Sequence, residues 1–155
     1  MSRRLKQIAA VFVVVFAAAQ LIRPERTNPP TNASRTIQAQ METASGLVAV
    51  LDRACRDCHS DMTVWPWYTE IAPLSWLMAH GVSKGRMAAN FSQWASYPPE
   101  RRRTLLVESC RDASNGTMPG RPYTLLHPEA QLSADDVETI CAAARQTAAN
   151  AADGR

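Results

Sequence analysis

The sequence predicts an all-α fold, and three observations carry that reading. No stretch of four or more residues alternates apolar and polar side chains as a half-buried strand would. Apolar residues recur instead at three- and four-residue spacing, behind residues that cap helices. Proline, glycine and asparagine fall between those segments and keep them short.

The first element is hydrophobic. A basic opening, Met1 to Lys6, precedes the run Ile8–Ile22, in which Gln20 is the one polar residue. This is the n-region and h-region of an export signal, and Ala17-Ala18-Ala19 supplies an A-x-A cleavage pattern. Read as an uncleaved anchor, which is the preferred reading, the run is slightly short of the ~20 apolar residues of a spanning helix, with Gln20 and Arg23 placed to snorkel. A buried core helix fits the basic flank poorly. Basic residues before the run hold the N-terminus inside and put residues 24–155 outside the cytoplasm.

Residues 1–22 are therefore read as a signal-anchor or signal peptide, and residues 23–40 as an extended, proline-rich linker. Within the linker, Asn32-Ala33-Ser34 fits N-x-S/T, which matters only in a glycosylating pathway. Residues 41–147 form the domain proper, and residues 148–155 a disordered tail.

Thr43 or Ser45 caps the next helix, with Leu47, Val48, Leu51 and Ala54 on one face, and this helix runs into Cys55. Pro73 begins another, with Leu74, Leu77, Met78 and Gly81 on one side. Asn90 to Pro99 reads as loop. Glu100 to about Cys110 reads as helix, carrying Leu105, Leu106 and Val107, and Asn115-Gly116 then marks a turn. The last helix is the best signalled. Ser133 is its N-cap, Asp136 sits at the third position as a capping-box variant, and Leu132 with Val137 forms a hydrophobic staple. Val137, Ile140, Cys141 and Ala144 give its inner face.

A chain of 155 residues holds one domain and a tail. With 46% hydrophobic and 20% charged residues it is not disordered as a whole. The net charge of +3 is unevenly spread. Arg3, Arg4, Lys6, Arg23 and Arg26 face only Glu25 in residues 1–26, so the remaining chain has one more acid than base. That distribution argues against a nucleic-acid partner for the body.

The chemistry lies in Cys55-Arg56-Asp57-Cys58-His59, the C-x-x-C-H signature of c-type haem attachment. Two intervening residues separate the thiols by about one helical turn, which matches the spacing of the two haem vinyl groups that form thioethers. His59 is then directed beneath the iron as an axial donor. Three rival readings exist. A thioredoxin-type pair expects a βαβ setting, which the pattern lacks. A zinc site needs two further ligands at compact spacing, whereas Cys110, Cys141, His80 and His127 are scattered singly. An ordinary disulfide is the third. Export favours haem over all three.

Met118, in a turn-rich stretch ending Met118-Pro119, is the expected sixth ligand, and its thioether raises the reduction potential. His80 or His127 would give a bis-histidine iron, and an open sixth position is the remaining alternative. Trp65, Trp67, Tyr68, Trp76, Phe91, Trp94 and Tyr97 crowd into one 33-residue stretch. They are either the wall of a flat apolar group or simply core; Trp65, Trp67, Tyr68, Trp76 and Trp94 are the candidates for a haem pocket. Cys110 and Cys141 lie on apolar helix faces and are expected to pair in an oxidising compartment, the alternative being two buried thiols. Arg101-Arg102-Arg103 reads as a solvated face, with docking of an acidic redox partner as the alternative. Arg86 and Arg121 are candidates to meet haem propionates.

The stretch CRDCHSDMTVWPWYTEIAPLSWLMAHGVSKGRMAANFSQW resembles the bacterial haem-binding domain family, exported relatives of small c-type cytochromes. TMPGRPYTLLHPEAQLSADDVETI is similar to the C-terminal part of the same family, and RPERTNPP to its linker. The likeness spans about residues 20–145, and its WPWY and NFSQW strings are more specific than C-x-x-C-H. It implies a small cytochrome c-like bundle of short helices with long loops around one covalently attached haem, preceded by the N-terminal hydrophobic helix. It also implies thioethers at Cys55 and Cys58 and ligation by His59, and it carries Met118 by the Met-Pro pattern. Cys110 and Cys141 lie outside it.

The resulting expectation is a monohaem c-type cytochrome holding one haem c. It would be tethered to the bacterial cytoplasmic membrane with its domain facing the periplasm, or released there if the leader is cleaved. It would be an electron carrier rather than an enzyme, serving redox partner proteins of the periplasm or membrane. The rival is a haem enzyme or sensor, such as a small peroxidase or gas binder, with an open sixth site.

Overall fold

The computed structural model describes residues 2–41 and 44–152; the Thr43 cap expected above and residues 153–155 of the expected tail lie outside them. Among the described residues there are eight α-helices and no strand. They are α1 Arg3–Ala19, α2 Ile37–Gln40, α3 Ser45–Ala54, α4 Arg56–His59, α5 Leu74–Ala88, α6 Pro99–Ser114, α7 Arg121–Thr124 and α8 Ala134–Ala152. Short 3-10 turns fill several connections, including Trp67–Glu70 and Phe91–Ser96.

The core sits where α3, α6 and α8 meet. Leu47, Val50 and Leu51 pack with Leu105 and Leu106 and with Ile140 and Ala144. In α3 the buried set includes Val50, while Val48 is only half-buried, so the inner face is rotated slightly from the expected one. Helix α8 begins as its sequence predicts. Ser133 Oγ accepts from the Asp136 N–H at 3.1 Å, and the Asp136 carboxylate accepts from the Ser133 N–H at 2.8 Å. That N–H, together with Arg53 on α3, holds the Asp136 carboxyl below the usual carboxylate range. The Arg53–Asp136 ion pair, 2.8 Å, ties the start of α8 to α3. Helix α8 continues through Ala152, past the boundary expected at residue 147.

Helix α6 starts at Pro99, whose fixed φ suits the first helical turn, and runs to Ser114, longer than its apolar residues alone suggested. Gly116, at φ 66°, supplies the left-handed turn just beyond it. Cys110 on α6 and Cys141 on α8 form a disulfide, with Cα atoms 4.7 Å apart and a sequence separation of 31.

The segment 23–40, expected as an extended linker from its prolines, is tied to the domain and turns helical from Ala33. Ile37 is 0% exposed, and it begins α2, which Thr36 caps. Arg26 makes a bidentate pair with Glu70 at 2.5 and 2.7 Å. Asn28 donates to the Thr63 carbonyl at 2.8 Å, and Arg86 donates to the Thr27 carbonyl at 2.9 Å. Polarity in this run means hydrogen bonding to the domain rather than to water, a distinction that composition does not carry.

The large apolar side chains of α1, from Leu5 to Phe16, are exposed. Its C-terminal end touches the domain: Gln20 accepts from the Ala72 N–H at 2.9 Å, and Trp76 Nε1 donates to the Ile22 carbonyl at 2.7 Å. No helix among the described residues is long and apolar enough to cross a membrane; α1 has 17 residues, where the sequence led us to expect a hydrophobic anchor.

The disulfide closes a 31-residue separation, and the chain-entropy relation gives about 3–4 kcal/mol for it. Replacing Cys110 and Cys141 together by serine should lower the free energy of unfolding by about that amount, read from denaturant curves whose slope rises because the unlinked unfolded chain exposes more surface.

Candidate functional site

The motif residues lie on a single helical turn. The N–H groups of Cys58 and His59 both donate to the Cys55 carbonyl, at 3.2 and 3.0 Å, which fixes α4 as one turn. Cys55 and Cys58 are free thiols. Burial pushes the Cys55 thiol up to about 12, with Cys58 adding to it, and burial pushes Cys58 up as well. Both are therefore protonated at neutral pH.

His59 follows directly. Its Nδ1 lies 3.1 Å from the Ala89 carbonyl oxygen. A carbonyl only accepts, so Nδ1 carries the proton and Nε2 keeps its lone pair. Burial lowers the pKa of His59, against the pull of the Ala89 and Gly85 carbonyls, which keeps the ring neutral. A neutral imidazole with its second nitrogen tied to a carbonyl is the usual state of a metal-binding histidine.

The turn is seated on α5 by one close approach. A Cβ built on Gly85 would lie 2.2 Å from the Cys58 carbonyl oxygen, so only glycine lets the two backbones meet. Arg86 braces the residues after His59: Nε donates to the Ser60 carbonyl at 2.7 Å and Nη2 to Thr63 Oγ1 at 2.9 Å. Asp61, 4% exposed, accepts from Asn90 Nδ2 at 2.8 Å and from Gln93 Nε2 at 3.1 Å. Arg86 is thus a structural clamp, which corrects its expected role toward propionates. Arg121 borders neither cavity described next.

Two cavities flank His59. The larger, about 540 Å³, is bounded by Leu74, Leu77 and Gly81 of α5 and by Tyr68, Tyr123 and Cys58. The smaller, about 90 Å³, lies over the core residues Leu51, Leu105 and Ile140 and reaches Cys55. His59, Ala88 and Met118 border both. The apolar α5 face read from the sequence therefore lines the large cavity instead of packing into the core.

The expected aromatic wall is mostly elsewhere. Of Trp65, Trp67, Tyr68, Trp76 and Trp94, only Tyr68 borders the large cavity. Trp94 is 3% exposed in the core, edge-on to Phe91 and Tyr97. Trp67 is 76% exposed, Trp65 lies beside Arg86, and Trp76 holds the carbonyl of Ile22 just beyond α1. A cluster along the chain is spread over three faces once the 67–70 turn and α5 change its direction.

Neither spare histidine borders the two cavities. His80 is exposed on α5. His127 is engaged at both nitrogens, with Tyr68 Oη at 2.6 Å from Nε2 and Glu129 Oε1 at 2.9 Å from Nδ1. The arginine triplet is partly used as well: Arg101 donates to the Ala88 carbonyl at 3.0 Å and Arg102 to the Tyr97 carbonyl at 2.8 Å.

Lys84 and Tyr123 also border the large cavity and were not singled out in the sequence. Lys84 continues the stripe Leu77–Gly81 at helical spacing, a signal that apolar bookkeeping passes over. Tyr123 lies on the single turn α7, too short to leave a periodic signal in the sequence.

A model of the haem-binding domain family matches residues 14–146. No curated protein and no solved structure matches the chain. The residues present fit a haem. A 540 Å³ space lies within the ordinary range of cofactor sites (~300–1,000 Å³), and it is mainly apolar, with an unpartnered imidazole nitrogen and two free thiols on one turn.

Gly85→Ala would force the Cys58 carbonyl and α5 apart, at a cost of about 1–3 kcal/mol or more. The expected result is a lower unfolding midpoint and a smaller yield of haem-loaded protein, measured by thermal denaturation and by the ratio of haem to protein absorbance.

Proposed function

The chain belongs to the haem-binding domain family, and from that premise we propose that it is an exported monohaem c-type cytochrome carrying single electrons between redox partner proteins of the periplasm or membrane. The observation that carries this reading is the set His59, Cys55, Cys58 and Met118 around one pair of adjoining apolar cavities. Haem bound there supplies the one-electron iron couple. The thiols of Cys55 and Cys58 would hold it covalently, one turn of helix apart. Nε2 of His59 would take one axial position, with the ring orientation set by the Ala89 carbonyl.

Met118 is proposed for the other axial position. Its side chain is 49% exposed and borders both cavities, whereas both nitrogens of His127 are committed elsewhere. Two protein ligands saturate the iron, which suits electron transfer and opposes turnover of peroxide or capture of a gas. Lys84 at the cavity edge offers a positive charge for a propionate. The basic opening and apolar residues of α1 support a leader that delivers the domain outside the bacterial cytoplasm and associates it with the membrane, or is removed there.

Produced with a c-type maturation system, the protein should retain one haem per chain through denaturing extraction in a pyridine haemochrome assay. A chain that comes out without haem sinks the reading. Met118→Ala should convert the low-spin ferric spectrum to one with an open or water-filled sixth site and lower the reduction potential, by a part of the ~0.8 V that axial ligation spans. An unaltered spectrum would mean that Met118 is not the ligand, and a high-spin wild-type spectrum would favour the enzyme or sensor.

A further inference from the structure

The segment after Met118 is latched to the haem-attachment turn itself. Tyr123 Oη donates to Asp57 Oδ2 at 2.9 Å, and Asp57 lies between the two motif cysteines. The other Asp57 oxygen accepts from the Val64 N–H at 3.1 Å, so the carboxylate is held from both sides. The Tyr123 ring stacks on His127, with centroids 4.3 Å apart and planes 15° apart. His127 in turn accepts from Tyr68 Oη at 2.6 Å and donates from Nδ1 to Glu129 at 2.9 Å. Arg53 donates to the carbonyls of Glu129 and Gln131, which closes the far end of the segment onto α3.

Upstream, the N–H groups of Thr117 and Met118 both donate to the Asp112 carbonyl at the end of α6, at 3.0 and 3.2 Å. The Met118 side chain is half exposed and is not packed in the core. Its position therefore depends on the backbone anchored on either side of it. On the downstream side the first side-chain tie is Tyr123 to Asp57.

We propose that Tyr123 is a positioning residue: through Asp57 it couples the Met118 segment to the C-x-x-C-H turn and so holds the thioether opposite His59. This rests on the haem reading above. Because the acceptor is a carboxylate, losing the bond should favour release of Met118 by roughly tenfold to a hundredfold. A fall in the population of the closed segment raises the apparent affinity of a competing ligand by the same factor.

Imidazole is the probe, titrated into the ferric holoprotein and followed in the visible spectrum. Tyr123→Phe keeps the ring on His127 and removes only the hydroxyl. It is expected to raise the imidazole affinity roughly tenfold to a hundredfold, with helix content checked by far-ultraviolet circular dichroism. Asp57→Asn removes the charge from the acceptor of the same bond and should shift the affinity the same way by a smaller factor; it replaces Tyr123→Phe if that variant does not accumulate with haem. An imidazole affinity equal to wild type in Tyr123→Phe, or in Asp57→Asn where Tyr123→Phe does not accumulate, overturns the proposal and leaves the haem reading intact. A wild-type ferric protein without the far-red methionine–iron absorption band overturns Met118 ligation and the proposal together.

Discussion

The contact between Gly85 of α5 and the Cys58 carbonyl is the constraint on which the site depends. It brings two backbones to a separation that no side chain tolerates. Once α5 is seated there, the helix ends one residue before Ala89, and the Ala89 carbonyl is the group that fixes the tautomer and direction of His59. The same helix presents Leu74, Leu77 and Gly81 to the large cavity. One close approach thus sets the position of the Cys55–His59 turn, the orientation of its histidine and one wall of the cleft.

The remaining parts of the site are polar clamps around that contact. Arg86, on the turn of α5 that carries Gly85, gathers the carbonyls of Ser60 and Thr27 and so joins the motif to the proline-rich segment. Asp61 collects Asn90 and Gln93 from the far side. Tyr123 and His127 tie the Met118 segment to Asp57 and Tyr68. These groups are half or fully buried, where an unpartnered polar atom costs about 1–3 kcal/mol. Their mutual satisfaction therefore specifies one arrangement of the loops, few of whose apolar residues are buried. The core of α3, α6 and α8, cross-linked by Cys110 and Cys141, provides the rigid base against which they close.

Much of this was legible in the residues. The all-α class followed from spacing and caps, and the start of α8 could be read to the residue, because a capping box is a local interaction between Ser133 and Asp136. The C-x-x-C-H motif was legible for the same reason: its spacing acts within one turn. The pairing of Cys110 with Cys141 was expected from two apolar helix faces and an oxidising compartment. The role of the 23–40 segment was not legible, since hydrogen bonds from Arg26 and Asn28 to residues some forty positions away leave no local trace.

The aromatic residues mark the boundary most clearly. Their density along the chain fits a cofactor wall and a protein core alike; the fold sends Trp94 to the core and Trp67 to the surface. Periodicity determines which residues share a face of one helix; it does not determine what that face meets. The sequence by itself determined the helices and the single turn that carries Cys55, Cys58 and His59. Only the tertiary structure decided that the apolar face of α5 borders a cavity, that Arg86 is a clamp, and that Tyr123 reaches Asp57, because each depends on two backbones meeting across the fold at a distance no local pattern encodes.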